Sequence, residues 1–167
     1  MSLDDLAPQA LAAVQALLAR AAAALRQRLS DGGRLSAGKI EREQHAAHGL
    51  AWLATYVEAI KEMTGYARRM RAEGRFGETE ALLTQIGLGE YLAQVFGGVA
   101  MSQGEIVRLG DFGLKADEIA RFRNDAVETL IETGNTPEAR APRRADRRGA
   151  PGRDRRSWPR RNVRGHS

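Results

Sequence analysis

The chain has 167 residues, 43% of them hydrophobic and 28% charged, with no cysteine and a formal net charge of +5. That length and apolar content allow one buried core and so one folded domain; the absence of cysteine excludes disulfides and thiolate metal sites. The charge is uneven, because residues 135–167 hold 11 arginines against three acidic residues, a balance of +8, which leaves 1–134 at −3. Four of the five prolines (Pro137, Pro142, Pro151, Pro159) fall in that same stretch. Two kinds of sequence therefore meet near Asn135: a domain over 1–134 and a basic tail over 135–167. Asp4 and Asp5 stand where a basic leader would begin, so a cytoplasmic location is the default expectation.

Residues 3–29 repeat apolar positions at Leu11, Val14, Leu18, Ala21 and Leu25, the three-and-four spacing of an amphipathic helix. Pro8 lies in its first turns, where a missing N–H does least harm, and Asp31-Gly32-Gly33 ends it. A second helix is predicted from Ser36, a candidate N-cap, to about Glu73, with Gly74 as its stop. Gly49 within it suggests a tight helix crossing. A third spans about Glu78 to Phe96, with Leu82, Leu83, Ile86, Ala93 and Phe96 on its buried side. A glycine-punctuated connector over 97–114 leads to a fourth, about Lys115 to Thr133, with Ile119, Phe122, Ala126, Val127, Leu130 and Ile131 on one face. No segment shows a strand period. The class is all-α: a four-helix bundle-like domain followed by a disordered Arg/Pro-rich tail.

The stretch from Gln44 to Ile60 organises the domain. From Ala46 to Ile60 the only formal charge is Glu58, and apolar residues fall on both Leu50, Leu53, Val57, Ile60 and Trp52, Tyr56, Ala59, Met63. A helix apolar on all sides is buried among partners, so Trp52, Leu53, Tyr56 and Val57 are expected among the most buried residues. The run is too short and too interrupted to cross a membrane, which takes about 20 apolar residues; no membrane partner is expected.

Candidate chemistry is thin. His45 and His48, with Glu41 and Glu58 nearby, could suggest a metal, but two-metal carboxylate bundles use Glu-x-x-His, and here Glu41 and His45 are four apart. Packed histidines with local hydrogen bonds are the plainer reading. Asp111-Phe112-Gly113 matches the metal-binding tripeptide of protein kinases without the rest of that signature. Gly87-x-Gly89 lacks a third glycine and a preceding strand, so it makes no dinucleotide site. Ser102 has no histidine–carboxylate pair placed near it and reads as a helix N-cap. No catalytic, cofactor-binding or metal residue is assigned. The arginine tail admits three readings: a nucleic-acid-binding arm acting through phosphate neutralisation, a flexible basic tail without a partner, or a frameshift product. The last is favoured, since Arg, Pro, Gly and Ala are what GC-rich codons give in a wrong frame.

Gln44-His45-Ala46-Ala47-His48-Gly49-Leu50-Ala51-Trp52-Leu53-Ala54-Thr55-Tyr56-Val57-Glu58-Ala59 resembles the N-terminal region of (2S)-methylsuccinyl-CoA dehydrogenases. So do Gly89-Glu90-Tyr91-Leu92-Ala93-Gln94, Gly97-Gly98 and Met101-Ser102-Gln103-Gly104-Glu105-Ile106-Val107-Arg108. The resemblance covers about residues 10–140. It implies the helical extension that sets this family apart within the acyl-CoA dehydrogenase superfamily of flavoproteins, which oxidise a saturated acyl-CoA to its enoyl-CoA. In the family the FAD site, the acyl-CoA pocket and the proton-abstracting glutamate lie downstream of the extension, and no residue here matches them. The resemblance thus implies a structural or assembly part that is inactive alone and binds no FAD itself. Its partner would be the dehydrogenase body or another subunit, with nucleic acid touched only non-specifically through the tail. A free-standing helical adaptor with a nucleic-acid-binding tail is the alternative.

Deleting 135–167 is expected to leave the helix content and melting temperature of 1–134 nearly unchanged. It should also lower non-specific DNA binding and its salt dependence. Circular dichroism and binding at two salt concentrations check both. A sequence- or structure-specific preference lost on truncation would count against the frameshift reading.

Overall fold

The computed structural model describes residues 1–102 and 104–141; the expected disordered tail beyond 141 lies outside the described residues. Helix α1 runs Leu3–Leu29, the span its seam predicts. The Ser2 N–H and hydroxyl both donate to the Asp5 carboxylate, at 3.1 and 2.8 Å, and fasten the first turn. Its buried seam is Leu6, Ala7, Ala10, Val14, Leu17, Ala21, Ala24, Leu25 and Leu29; Leu11 and Leu18, expected at the centre, sit half-buried at its edge. Among the described residues α1 is the one helix whose length and apolarity would suffice to cross a membrane. That apolar length lies in α1 rather than in the 44–60 run.

After α1 the chain makes a two-residue hairpin instead of a plain stop. Strand β1 (Ser30–Asp31) pairs antiparallel with β2 (Arg34–Leu35). Gly32 and Gly33 turn between them at φ +54° and +82°, the double left-handed turn that side-chain-bearing residues rarely make. The single helix expected over 36–73 is two, α2 (Ala37–Arg42) and α3 (Gln44–Ala72), broken at Glu43 with φ −108° and ψ 24°. The physical reason is that α2 buries no residue, so no apolar face holds it in line with α3. Polar ties pull it to the end of α1 instead: Lys39 Nζ donates to the Ser30 carbonyl at 2.5 Å, and Arg28 donates to the Glu43 carboxylate. Ser36 occupies the N-cap position of α2, yet its side chain bonds no helix N–H. At the far end of α3, Gly74 at φ +66° lets its own N–H reach the Arg71 carbonyl (2.9 Å) and the Arg75 N–H reach that of Met70 (2.8 Å), a paired C-terminal cap.

Helix α4 (Glu78–Gly97) begins where the Gly77 N–H donates to the Glu80 carboxylate at 3.0 Å. It buries Thr84, Leu88, Gly89, Leu92 and Val95, not the expected face. Leu83 is 64% exposed and Ala93 is exposed, while Leu82, Ile86 and Phe96 are half-buried. Apolar residues ring most of α4, so periodicity cannot choose its inward side; a close approach to another helix chooses it. That helix is α6 (Asp125–Gly134). A Cβ at Gly89 would lie 2.5 Å from the Leu130 carbonyl oxygen and 3.0 Å from the Gly134 Cα.

The connector holds a second small hairpin, β3 (Val99–Ala100) with β4 (Ile106–Val107), and a 3₁₀ turn over Leu109–Phe112. No strand was expected, but each has only two residues, and the all-α class stands. Val107 fills the space beside Gly49, so close that a Cβ there would overlap it. The tight contact expected at Gly49 is therefore real, with a hairpin rather than a helix. The fourth expected helix is also two, α5 (Ala116–Ala120) and α6, because the Asn124 side chain accepts from the Val127 N–H at 3.0 Å and starts α6 afresh. Ala126, Val127 and Leu130 are buried and Ile119, Phe122 and Ile131 half-buried, on the expected face. A last single-turn helix, α7 (Pro137–Arg140), is capped by Thr136, whose hydroxyl accepts from the Ala139 N–H at 3.1 Å. Residues 137–140 are thus helical where no structure was expected.

Helices α1, α3, α4 and α6 form the bundle: α1 lies against α3 and α6, and α4 against the same two. Leu53 and Val57 are buried as expected, at 1% and 3% exposure. Trp52 and Tyr56 are only half-buried, because α3 turns one stripe inward (Ala46, Gly49, Leu53, Val57, Ile60, Ala67) and leaves the other at the surface.

Gly89→Ala is expected to destabilise the fold by about 1–3 kcal/mol through overpacking. Gly97→Ala, where nothing lies within 4 Å of the added carbon, should change stability little; urea unfolding of both variants tests the pair. The hydrogen bond from Arg28 is the largest cause holding the Glu43 carboxyl below its ordinary value of 4.5. A depressed folded pKa stabilises above the unfolded value, and that contribution disappears as pH falls through the folded one. The melting temperature of the parent should therefore exceed that of Glu43→Gln at pH 7, and the gap should close in acid below about 4.5.

Candidate functional site

The histidines of α3 face the 3₁₀ turn and the β3–β4 loop. His45 Nε2 lies 3.7 Å from Asp111 Oδ2. His48 Nε2 accepts from Trp52 Nε1 at 2.9 Å, and the two rings meet edge to face at 6.3 Å. An imidazole nitrogen that accepts an indole N–H leaves its own proton on Nδ1, so its lone pair is already engaged. Glu41 sits on α2, across the break at Glu43, and Glu58 is paired with Lys61 at 2.7 Å. That pairing raises the Lys61 ammonium above its ordinary value. Gln44, His45, His48 and Glu105 line a shallow depression of about 260 Å³. Among the described residues, no three of the metal-ligating kinds converge.

The other sequence candidates are parts of turns. Asp111 Oδ2 accepts from the Arg108 N–H at 2.6 Å, Phe112 is 1% exposed, and Gly113 ends the 3₁₀ turn. Arg28 donates to the Asp111 carbonyl at 2.6 Å while holding Glu43, and so joins three elements. Ser102 lies in the β3–β4 loop, its carbonyl accepting from the Glu105 N–H at 3.0 Å. It caps no helix, because the chain turns back into β4 there. A Cβ on Gly87 would meet Met63 Sδ at 2.6 Å, so Gly87 and Gly89 serve helix packing.

Three helix starts are poorly suited to phosphate. Helix N-termini attract anions through free N–H groups and the dipole. Here Asp4 and Asp5 stand in the first turn of α1, Glu78 and Glu80 in that of α4, and Asp125 and Glu128 in that of α6. Bonds from Ser2 hold the Asp5 carboxyl below its ordinary value, so it stays ionised at neutral pH. Incoming phosphate would meet carboxylates at the starts of these three helices, while the first turn of α3 carries no acidic residue.

A larger concavity among the described residues is one that sequence reasoning missed. It is a groove of about 640 Å³ between the first half of α1 and the last turns of α3, with Leu3, Ala7, Leu11 and Ala67 among its lining. Arg71 pairs with Asp4 across it and lies 3.8 Å over the Phe76 ring, and Arg69 reaches Glu62 at 4.0 Å. In the sequence, Arg68-Arg69-Met70-Arg71 reads only as cations suited to a helix C-terminus. The small residues opposite them in α1 show no sign of a gap until the two helices are placed together.

No family model matches the chain. Over 136 residues, 81% of its length, it is 49% identical to (2S)-methylsuccinyl-CoA dehydrogenase from Cereibacter sphaeroides, and the match spans 24% of that protein. The chain is thus similar, over most of its own length, to about a quarter of a (2S)-methylsuccinyl-CoA dehydrogenase.

Proposed function

We propose that the chain is a helical, non-catalytic part of a methylsuccinyl-CoA dehydrogenase-like flavoenzyme that oxidises a branched acyl-CoA to its enoyl-CoA. Its role is packing and assembly, and it is inactive alone. The observation that carries this is the 49% identity over 136 residues to a protein about four times as long as the matched stretch. The side chains support it, because three groups that could do chemistry are engaged in the fold: His48 with Trp52, Asp111 with the Arg108 N–H, Glu43 with Arg28. FAD binding and removal of the α-proton belong, on this reading, to the remainder of such an enzyme, which is the partner. The compartment is the cytoplasm.

The alternative, a helical adaptor whose arginine tail holds nucleic acid, predicts a different gene. Reading the DNA just downstream separates the two: an acyl-CoA dehydrogenase body in a shifted frame supports the proposal, and a stop with no such body favours the adaptor. The purified chain is expected to be colourless and to oxidise no acyl-CoA. A bound-flavin absorbance spectrum, or turnover of (2S)-methylsuccinyl-CoA by the chain alone, would overturn the non-catalytic role.

A further inference from the structure

We infer that the outer face of the α3–α4 pair is the surface on which the remainder of such a dehydrogenase packs, the polypeptide beyond the matched quarter; this rests on the function proposed above. Six residues make the face: Trp52, Tyr56, Met63 and Tyr66 from α3, Leu83 and Tyr91 from α4. The Tyr56 and Tyr91 rings lie 5.1 Å apart, and Met63 reaches across to Gly87. Tyr66 and Leu83 are 42% and 64% exposed, and Trp52, Tyr56, Met63 and Tyr91 are half-buried. From Trp52 to Tyr66 the strip is about 21 Å long at the 1.5 Å rise of a helix.

Its chemistry selects the partner. None of the six carries a formal charge, and aromatic residues and methionine enriched where charges are depleted mark the core of a protein interface. A nucleic acid or acidic partner would need cations here. Two of its polar tips are already satisfied inside the chain: Trp52 Nε1 donates to His48, and the Tyr56 hydroxyl donates to Gln94 Oε1 at 2.9 Å. A partner can therefore cover both rings without stranding a donor, which would otherwise cost about 1–3 kcal/mol.

The occupant is argued from the length of the relative. The match takes up 24% of it, so most of that polypeptide is tethered to the equivalent of this bundle. Tethering raises the effective concentration of a neighbouring surface to millimolar levels, enough to fill a face of this kind. Helix α7, the last described, also lies against α4.

The test is a hybrid: the Cereibacter sphaeroides enzyme with its matched stretch replaced by residues 1–141 of this chain, beside this chain alone. Hydroxyl-radical labelling of Trp52, Tyr66 and Leu83 is expected to fall at least several-fold in the hybrid. Leu83→Glu and Tyr66→Glu should lower the hybrid's melting temperature while leaving that of the separate chain unchanged, since both side chains are exposed there. An active, flavin-bound hybrid whose three residues label as in the separate chain overturns this inference and leaves the proposed function standing. A folded hybrid whose dehydrogenase activity is indifferent to deletion of the whole bundle overturns the assembly role as well. A concentration-dependent dimer of the separate chain, abolished by Leu83→Glu, would assign the face to a second copy and also overturn the inference.

Discussion

The bundle depends on the burial of one seam of α1 between α3 and α6. Ala10, Val14, Leu17 and Ala21 are completely enclosed there. Burying each larger aliphatic chain contributes about 1.5–3 kcal/mol, and the alanines let the neighbouring helices come close enough to enclose it. The partners on the two sides are far apart in sequence: α3 begins at Gln44 and α6 at Asp125. The core is complete only when both ends of the domain are in place. The 44–60 run, which composition marks as the centre, is one wall of that core.

Polar groups in this domain are turned toward holding its joints. Arg28 stands at the end of α1 and reaches both the break before α3 and the turn at Asp111, 83 residues away in sequence. Gln85 reaches the Thr133 carbonyl at 3.3 Å, and Arg20 pairs with Glu118 across from α1 to α5. Ion pairs at such exposed positions contribute little each; what these contacts share is that each joins two different elements, which fixes orientation more than it adds stability. At the histidine end, His48 is engaged by Trp52 and Asp111 by the Arg108 N–H.

Much of the architecture was legible in the sequence. The limits of α1 and α4, the inward face of α6 and the all-α class follow from apolar spacing and glycine stops, which are local signals. The breaks at Glu43 and Asn124 were not legible, because each is decided by competition: a short segment with little to bury yields to Arg28 in one case and to a side-chain cap in the other. The face of α4 was misread because its apolar residues nearly encircle it; the selecting contact, Gly89 on Gly134, involves residues with no side chain to signal it. At the candidate site the sequence offered residue types without partners. Only the fold shows that Trp52 occupies His48, and that Asp111 secures a turn. The groove between α1 and α3 was invisible for the related reason that a gap is a property of two helices together.

The contact between Gly49 and Val107 ties the connector to α3 in a way that reaches past packing. One volume is shared by two positions on different elements, and Val107 holds all of it. Either position can grow only as the other shrinks. The two positions are therefore energetically coupled: a side chain at 49 fits only beside a smaller residue at 107, so the effects of substitutions there will not add.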